Sequence, residues 1–189
     1  MASVRAKHFS SLHVCSESMV SGERFFACKD AAGKEALLTY IKRLLGLKRI
    51  HVVPPHPYDE FGHVDGLVRY IDHETVLIND LSNEEPGWWV KDFKKAIAAT
   101  GYKTEELPYR PNDKGNAMDA KGIYMNFLKL YDLIIMPAFT FEKEDKAAKE
   151  TLEHLYPGRM VETIYATDLA KEGGIVNCVT YERFSASVS

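Results

Sequence analysis

His63 and Asp65 stand two residues apart in "FGHVDG" (residues 61–66), and Cys178 stands far downstream in "EGGIVNCVTY" (residues 172–181). A thiol, an imidazole and a carboxylate are the side chains of covalent catalysis on a cationic substrate. The thiolate attacks, the imidazole moves protons, and the carboxylate holds the cation. On a strand, residues i and i+2 point to one face, so His63 and Asp65 would share a pocket. The alternative is a polar pair that caps the start of a strand. Cys178 also has two readings. Within the apolar run Ile175-Val176-Asn177-Cys178-Val179 it is either a small buried hydrophobe or a nucleophile, which would need a partner base or an electropositive pocket. Gly173 and Gly174 just before it would let backbone approach a ligand closely.

The other candidates are weaker. His8, His13, His51, His56, His73 and His154 show no i, i+4 pair and no accompanying cysteine cluster, so no metal is expected. His73 reads as a hairpin tip and His154 as a helix-surface position. Cys15, Cys28 and Cys178 are an odd number at wide spacing, neither a disulfide framework nor a zinc motif, and a reducing cytoplasm is the expected setting. Cys15 and Cys28 read as structural. Trp88 and Trp89 open a helix and read as core or interface, and "EKEDKAAKE" as a solvated helix face.

Regular elements must bring these residues together. An apolar run at residues 25–28 suits a strand. A helix is expected over residues 31–45, with Ala36, Leu37, Tyr40, Ile41, Leu44 and Leu45 at helical spacing and Gly46 as its C-cap. A β-branched strand follows at residues 49–53, stopped by Pro54 and Pro55. "HVDGLVRYIDHETVLIND" reads as a hairpin with its tip at Asp72-His73-Glu74. A helix from about Trp88 to Thr100 and a strand over residues 102–108 come next. After a loop rich in Gly, Asn, Asp and Pro the order repeats. "IYMNFLKLYDLIIMPAF" is a hairpin turning near Tyr131-Asp132, "EKEDKAAKETLEHLYPG" a helix and "RMVETIYA" a strand. A recurrence at roughly 55–60 residues signals repeated ββαβ units. Residues 173–184 are expected to add a final strand that contains Cys178.

The chain has 189 residues, 46% of them hydrophobic and 27% charged, and a net charge of -3. That suits one domain with a substantial core and gives no electrostatic reason to expect nucleic acid or an anionic membrane as partner. No apolar run reaches the roughly 18 residues that span a bilayer, and the first residues lack the apolar core of a signal peptide.

Taken in order, these segments resemble the agmatine deiminase and Porphyromonas-type peptidylarginine deiminase family of guanidino-modifying enzymes, in the pentein superfamily, and in particular its C-terminal half. "FGHVDGLVRYID" looks like the family's Gly-His-(Ile/Val)-Asp segment. "IYMNFLKLYDLIIMPAF" looks like its Ser-Tyr-x-Asn-Phe strand, and "EGGIVNCVT" like its terminal Gly-Gly-x-x-x-Cys-(Ile/Val)-Thr strand. The resemblance runs from about Arg24 to Tyr181. It implies an α/β, pentein-like β/α propeller of ββαβ modules, incomplete here, with modules at about 1–58, 59–110 and 111–168 and a final strand at 173–184.

The resemblance also implies a chemistry without metal or cofactor. Cys178 would form a covalent thiouronium with a guanidino carbon, and His63 would act as acid and then base. Asp65 would bind the guanidinium, while Asn126 and Gly174 would shape the substrate pocket. The implied partner is a small guanidino substrate such as agmatine, placing the reaction in polyamine biosynthesis, or a peptidyl-arginine. Amidino transfer to an amine would use the same intermediate. The family's Trp-x-Arg-Asp segment, which carries a second clamping carboxylate, and its Gly-Gly-Asn motif are not found in this sequence. Ile175-Val176-Asn177 stands where the family usually has Asn-Ile-His. A homo-oligomer or a complementing N-terminal chain is therefore expected to complete the ring. The alternative is a catalytically inactive pentein-like binding or scaffold protein.

Overall fold

The computed structural model describes residues 17–21, 30–59, 62–84, 86–110 and 119–180. The strand expected at residues 25–28, and Cys15, Cys28, His8 and His13, lie outside these described residues.

The elements run β1 (Glu17–Ser21), α1 (Ala31–Leu45), β2 (Arg49–Val53), β3 (Val68–Tyr70), β4 (Thr75–Asn79), α2 (Gly87–Ala98), β5 (Lys103–Leu107), β6 (Leu128–Lys129), β7 (Leu133–Ala138), α3 (Glu142–Leu155), β8 (Met160–Tyr165) and α4 (Thr167–Ala170). They build three small sheets, ordered β1-β2, β3-β4-β5 and β6-β7-β8. The second and third sheets share one plan. A hairpin pairs antiparallel, with Arg69 opposite Leu77 in one and Leu128 opposite Ile135 in the other. A helix then crosses over, and the last strand adds in parallel, Leu77 beside Glu105 and Ile135 beside Glu162. This is the ββαβ order expected from the sequence. The first sheet pairs β1 and β2 in parallel, with Met19 beside His51.

Local chemistry accounts for the element ends. Asp30 caps α1 by accepting from the Gly33 N–H at 2.7 Å, and Gly46 ends it in the left-handed region at φ 66°, as C-cap glycines do. The face of α1 is turned from the one expected. Leu37, Ile41 and Leu45 are half-buried, but Ala36, Tyr40 and Leu44 are exposed and no residue of the helix is fully buried. The hairpin tip forms where expected, because the Asp72 carboxylate accepts from the Glu74 and Thr75 N–H groups at 2.7 and 2.8 Å, a local side-chain turn. Helix α2 buries Trp89, Phe93 and Ile97, and the Trp89 and Phe93 rings stack at 5.2 Å. Trp88 points outward.

Two cores result. One gathers Val53, Val64, Val68, Val76, Trp89 and Phe93 around the second sheet. The other runs from Leu77 and Leu107 through Tyr124 and Phe127 to Leu152, Ile175 and Val176. The second core thus joins the two ββαβ units to the segment that carries Cys178.

Two expected strands begin only after the site residues, and a third does not form. Residues 63–67 form a turn, closed by Leu67 N–H and Val68 N–H donating to Val64 O at 3.0 Å, and β3 begins only at Val68. In "YMNF" the backbone is irregular, and β6 is limited to Leu128 and Lys129. Residues 175–180, read as a strand around Cys178, form a single helical turn in which Val179 N–H donates to Ile175 O at 3.2 Å and Thr180 N–H to Asn177 O at 3.4 Å. In each case the backbone is held by side chains and turn bonds rather than by a ladder. The short helix α4, unforeseen from the sequence, precedes this turn.

Candidate active site

Asp65 is the hub. It is 5% exposed, and three donors converge on its Oδ2: Asn126 Nδ2 at 2.9 Å, Asn177 Nδ2 at 3.1 Å and the Cys178 thiol at 3.6 Å. Asn126 does more than bond Asp65. Its Nδ2 also donates to Cys178 Sγ at 3.3 Å. Its Oδ1 accepts from the backbone N–H groups of Asn177 at 3.1 Å and Cys178 at 3.3 Å. Asn126 therefore caps the turn that carries the cysteine, which is why the apolar run there does not extend as a strand. Asn126 is buried, so these bonds form away from competing water and fix the geometry.

Gly174 explains itself by space. A Cβ placed there would come within 3.0 Å of Cys178 Cβ and 3.6 Å of its sulfur. The chain thus folds back on itself at this point, and only a residue without a side chain fits without displacing the cysteine.

His63 reaches the site differently from the expected strand alternation. Its backbone N–H donates to Asp59 Oδ2 at 2.5 Å, and its Nδ1 lies 3.1 Å from both Asp59 oxygens. A carboxylate only accepts, so Nδ1 carries the hydrogen in this bond. Asp59 was not singled out in the sequence. The i, i+4 spacing to His63 is its one signal there, and it is a helical spacing found here in a loop.

The electrostatics are unequal. The hydrogen bond from Asp59 raises the His63 pKa above its ordinary value against the opposing effect of burial, and the charges of Asp59 and Asp65 raise it further. Burial, followed by the Asp65 charge, pushes the Cys178 thiol up, while bonds from the Ile175 backbone and the Asn126 amide pull the other way. The resting arrangement therefore favours a protonated thiol at Cys178 and, at His63, an imidazole that holds its proton more readily than usual. Asp65 and Cys178 bond directly, and His63 lies within electrostatic reach of Asp65. Asn126 and Gly174 pack on Cys178. Among the described residues no group of three or more His, Cys, Asp or Glu side chains is placed to hold a metal ion, and no helix is long and apolar enough to cross a membrane.

Paired ββαβ units here bring a thiol and a carboxylate together from adjacent loops of an α/β protein. The same fold occurs in an agmatine deiminase of C. jejuni solved with substrate bound, which superposes with a TM-score of 0.81 at 20% identity over 96% of this chain and 56% of that one. The chain belongs to the Porphyromonas-type peptidyl-arginine deiminase family, whose model matches residues 22–183. Among curated proteins it is 33% identical over 131 residues to a candidate agmatine deiminase of Legionella pneumophila strain Paris, covering 65% of this chain and 38% of that protein. It is 26% identical over 176 residues to one of Marinomonas, covering 79% of this chain and 47% of that protein. The chain thus spans less than half the length of these relatives.

Proposed function

We propose that the chain carries the nucleophile-bearing part of a site that hydrolyses the guanidino group of agmatine or of an arginine compound through a covalent Cys178 intermediate. The observation that supports this best is the contact of the Cys178 thiol with Asp65 Oδ2, under an asparagine that donates to both. No donor among the described residues takes Asp65 Oδ1, which leaves that oxygen to accept a guanidinium N–H. Burial is the main reason the thiol keeps its proton and the Asp65 charge the second; a cation held there offsets that charge, so the substrate itself shifts the balance toward the thiolate.

The chemistry then balances in two halves. The Cys178 thiol gives its proton to solvent, its sulfur bonds to the guanidino carbon, one C–N bond breaks, and the leaving nitrogen departs as ammonia with a proton from His63. The amidino group remains on sulfur as a thiouronium. His63, now a base, takes a proton from water, whose oxygen bonds to the same carbon. The C–S bond breaks, its electron pair and the proton of the new hydroxyl returning to Cys178 as the thiol, and the ureido product is released. The second clamp on the guanidinium we assign to polypeptide outside this chain, a complementing N-terminal chain or a further copy. A reducing compartment such as the cytoplasm suits the nucleophile.

The test is product formation. Agmatine should yield carbamoyl-putrescine and ammonia, arginine compounds should yield citrulline, Cys178→Ala should yield none, and Asp65→Asn should lower turnover at least about a hundredfold. Equal product with Cys178→Ala would overturn the reading. The second reading, an inactive binding protein, is favoured by one feature: among the described residues Asp65 is the single carboxylate acting on Cys178. It predicts no covalent adduct at Cys178 under any substrate.

A further inference from the structure

A buried cation that the proposed chemistry does not use reaches this site from behind. Arg69 lies in the middle of β3 and is 5% exposed. Its Nη1 donates to the backbone oxygens of Phe127 and, at 3.3 Å, Met125. Its Nη2 donates to Asn177 Oδ1 at 3.5 Å, and the guanidinium lies 4.2 Å over the Phe127 ring. These acceptors flank the two amides that bond Asp65: Met125 and Phe127 stand on either side of Asn126, and the third acceptor is Asn177 itself.

An amide is nearly the same shape either way round, so its neighbours decide which end points where. Arginine only donates and an ionised aspartate only accepts. Asn177 therefore satisfies both in a single orientation, Oδ1 toward Arg69 and Nδ2 toward Asp65. Asn126 is fixed in the same sense by two backbone N–H groups on its Oδ1.

We propose that Arg69 is a positioning residue for the Asp65–Cys178 pair, fixing the Asn177 amide and the backbone around Asn126 so that both amides donate to Asp65 Oδ2. The role of Asp65 toward substrate rests on the function proposed above; the linkage from Arg69 to Cys178 does not. When the fork is lost, Asn177 is free to turn. Asp65 Oδ2 then loses a donor, and its less neutralised charge makes the adjacent thiol harder to ionise. Asp65 is the charged group that bears directly on Cys178, and His63, held by Asp59, is the titrating group beyond it.

The readout is the pH dependence of Cys178 alkylation by iodoacetamide, followed on the Cys178 peptide by mass spectrometry in the full chain. It needs no turnover. Arg69→Lys keeps the charge and removes the fork, and Asn177→Ala removes the amide. Each is expected to raise the midpoint by about half a unit, roughly threefold slower alkylation at pH 7. The double variant should shift no further than the larger single, because the two act in series. An unchanged R69K profile, or shifts that add in the double variant, overturns the proposal. Should the R69K chain fail to fold, an unchanged N177A profile overturns it alone and a shifted one supports it. Failure of the guanidine reading would show separately, as absent product with these profiles shifted as expected.

Discussion

Asp59 sets what His63 can do. The hydrogen bond between them raises the imidazole pKa from 6.5, so in the folded protein the ring stays protonated to higher pH than it would alone. As a general acid it is useful only while protonated, and the alkaline limb of activity should carry its titration. Asp59→Asn removes the charge that raises it. The expected result is a lower His63 pKa by NMR titration and an alkaline limb displaced to lower pH by the same amount. The stability linkage has a definite sign. Because the folded pKa is raised, the His63–Asp59 contribution is fully present below about 6.5 and fades as pH rises through the folded value. Thermal melts of the parent and D59N should therefore differ most in mildly acid buffer and converge on the alkaline side. At this scale the sequence was informative about residue type and silent about partners. His63, Asp65 and Cys178 stood out by their chemistry, whereas Asp59, Asn177 and Arg69 acquire meaning only from contacts across the fold.

Elements were legible where periodicity and punctuation agreed. Helix α1 and strand β2 begin and end as the apolar spacing, Gly46 and Pro54 dictate, and the 72–75 turn forms where Asp72 can cap it. The site segments were misread as strands for one physical reason. Their apolar residues are buried by tertiary packing, and in the Asn126 and Cys178 segments the backbone groups are bonded by side chains more than fifty residues away, which no local pattern encodes. Asn126 is the clearest case, since one amide bonds a carboxylate, a thiol and two backbone N–H groups. Asn126→Ala should thus leave several buried groups unpaired. A loss of about 2–4 kcal/mol in chemical denaturation is expected, with turnover falling further than the melting temperature would suggest. Gly174→Ala tests the other constraint. The added methyl would press on Cys178 Cβ at 3.0 Å, costing about 1–3 kcal/mol as overpacking does and displacing the sulfur. An alanine variant with parental stability and parental Cys178 reactivity would contradict the close approach.

At the scale of the whole molecule, apolar surface is exposed on β8, which is an edge strand among the described residues. Met160, Ile164 and Tyr165 on β8 are more than half exposed, and so are Tyr40 and Leu44 on α1. Exposed apolar surface of this kind is where proteins associate. Sedimentation is expected to show concentration-dependent association that Ile164→Lys weakens without lowering the melting temperature, because that side chain is already exposed. The central claim, however, is that Asp65 and Cys178 act together on a guanidinium. Labelling Cys178 with a haloacetamidine, whose amidinium mimics the substrate head group, measures this most directly. The account predicts saturable labelling at Cys178, competition by agmatine or an arginine compound, and loss of saturation in Asp65→Asn while neutral iodoacetamide still reacts. Labelling that never saturates, or that is indifferent to Asp65, would contradict it.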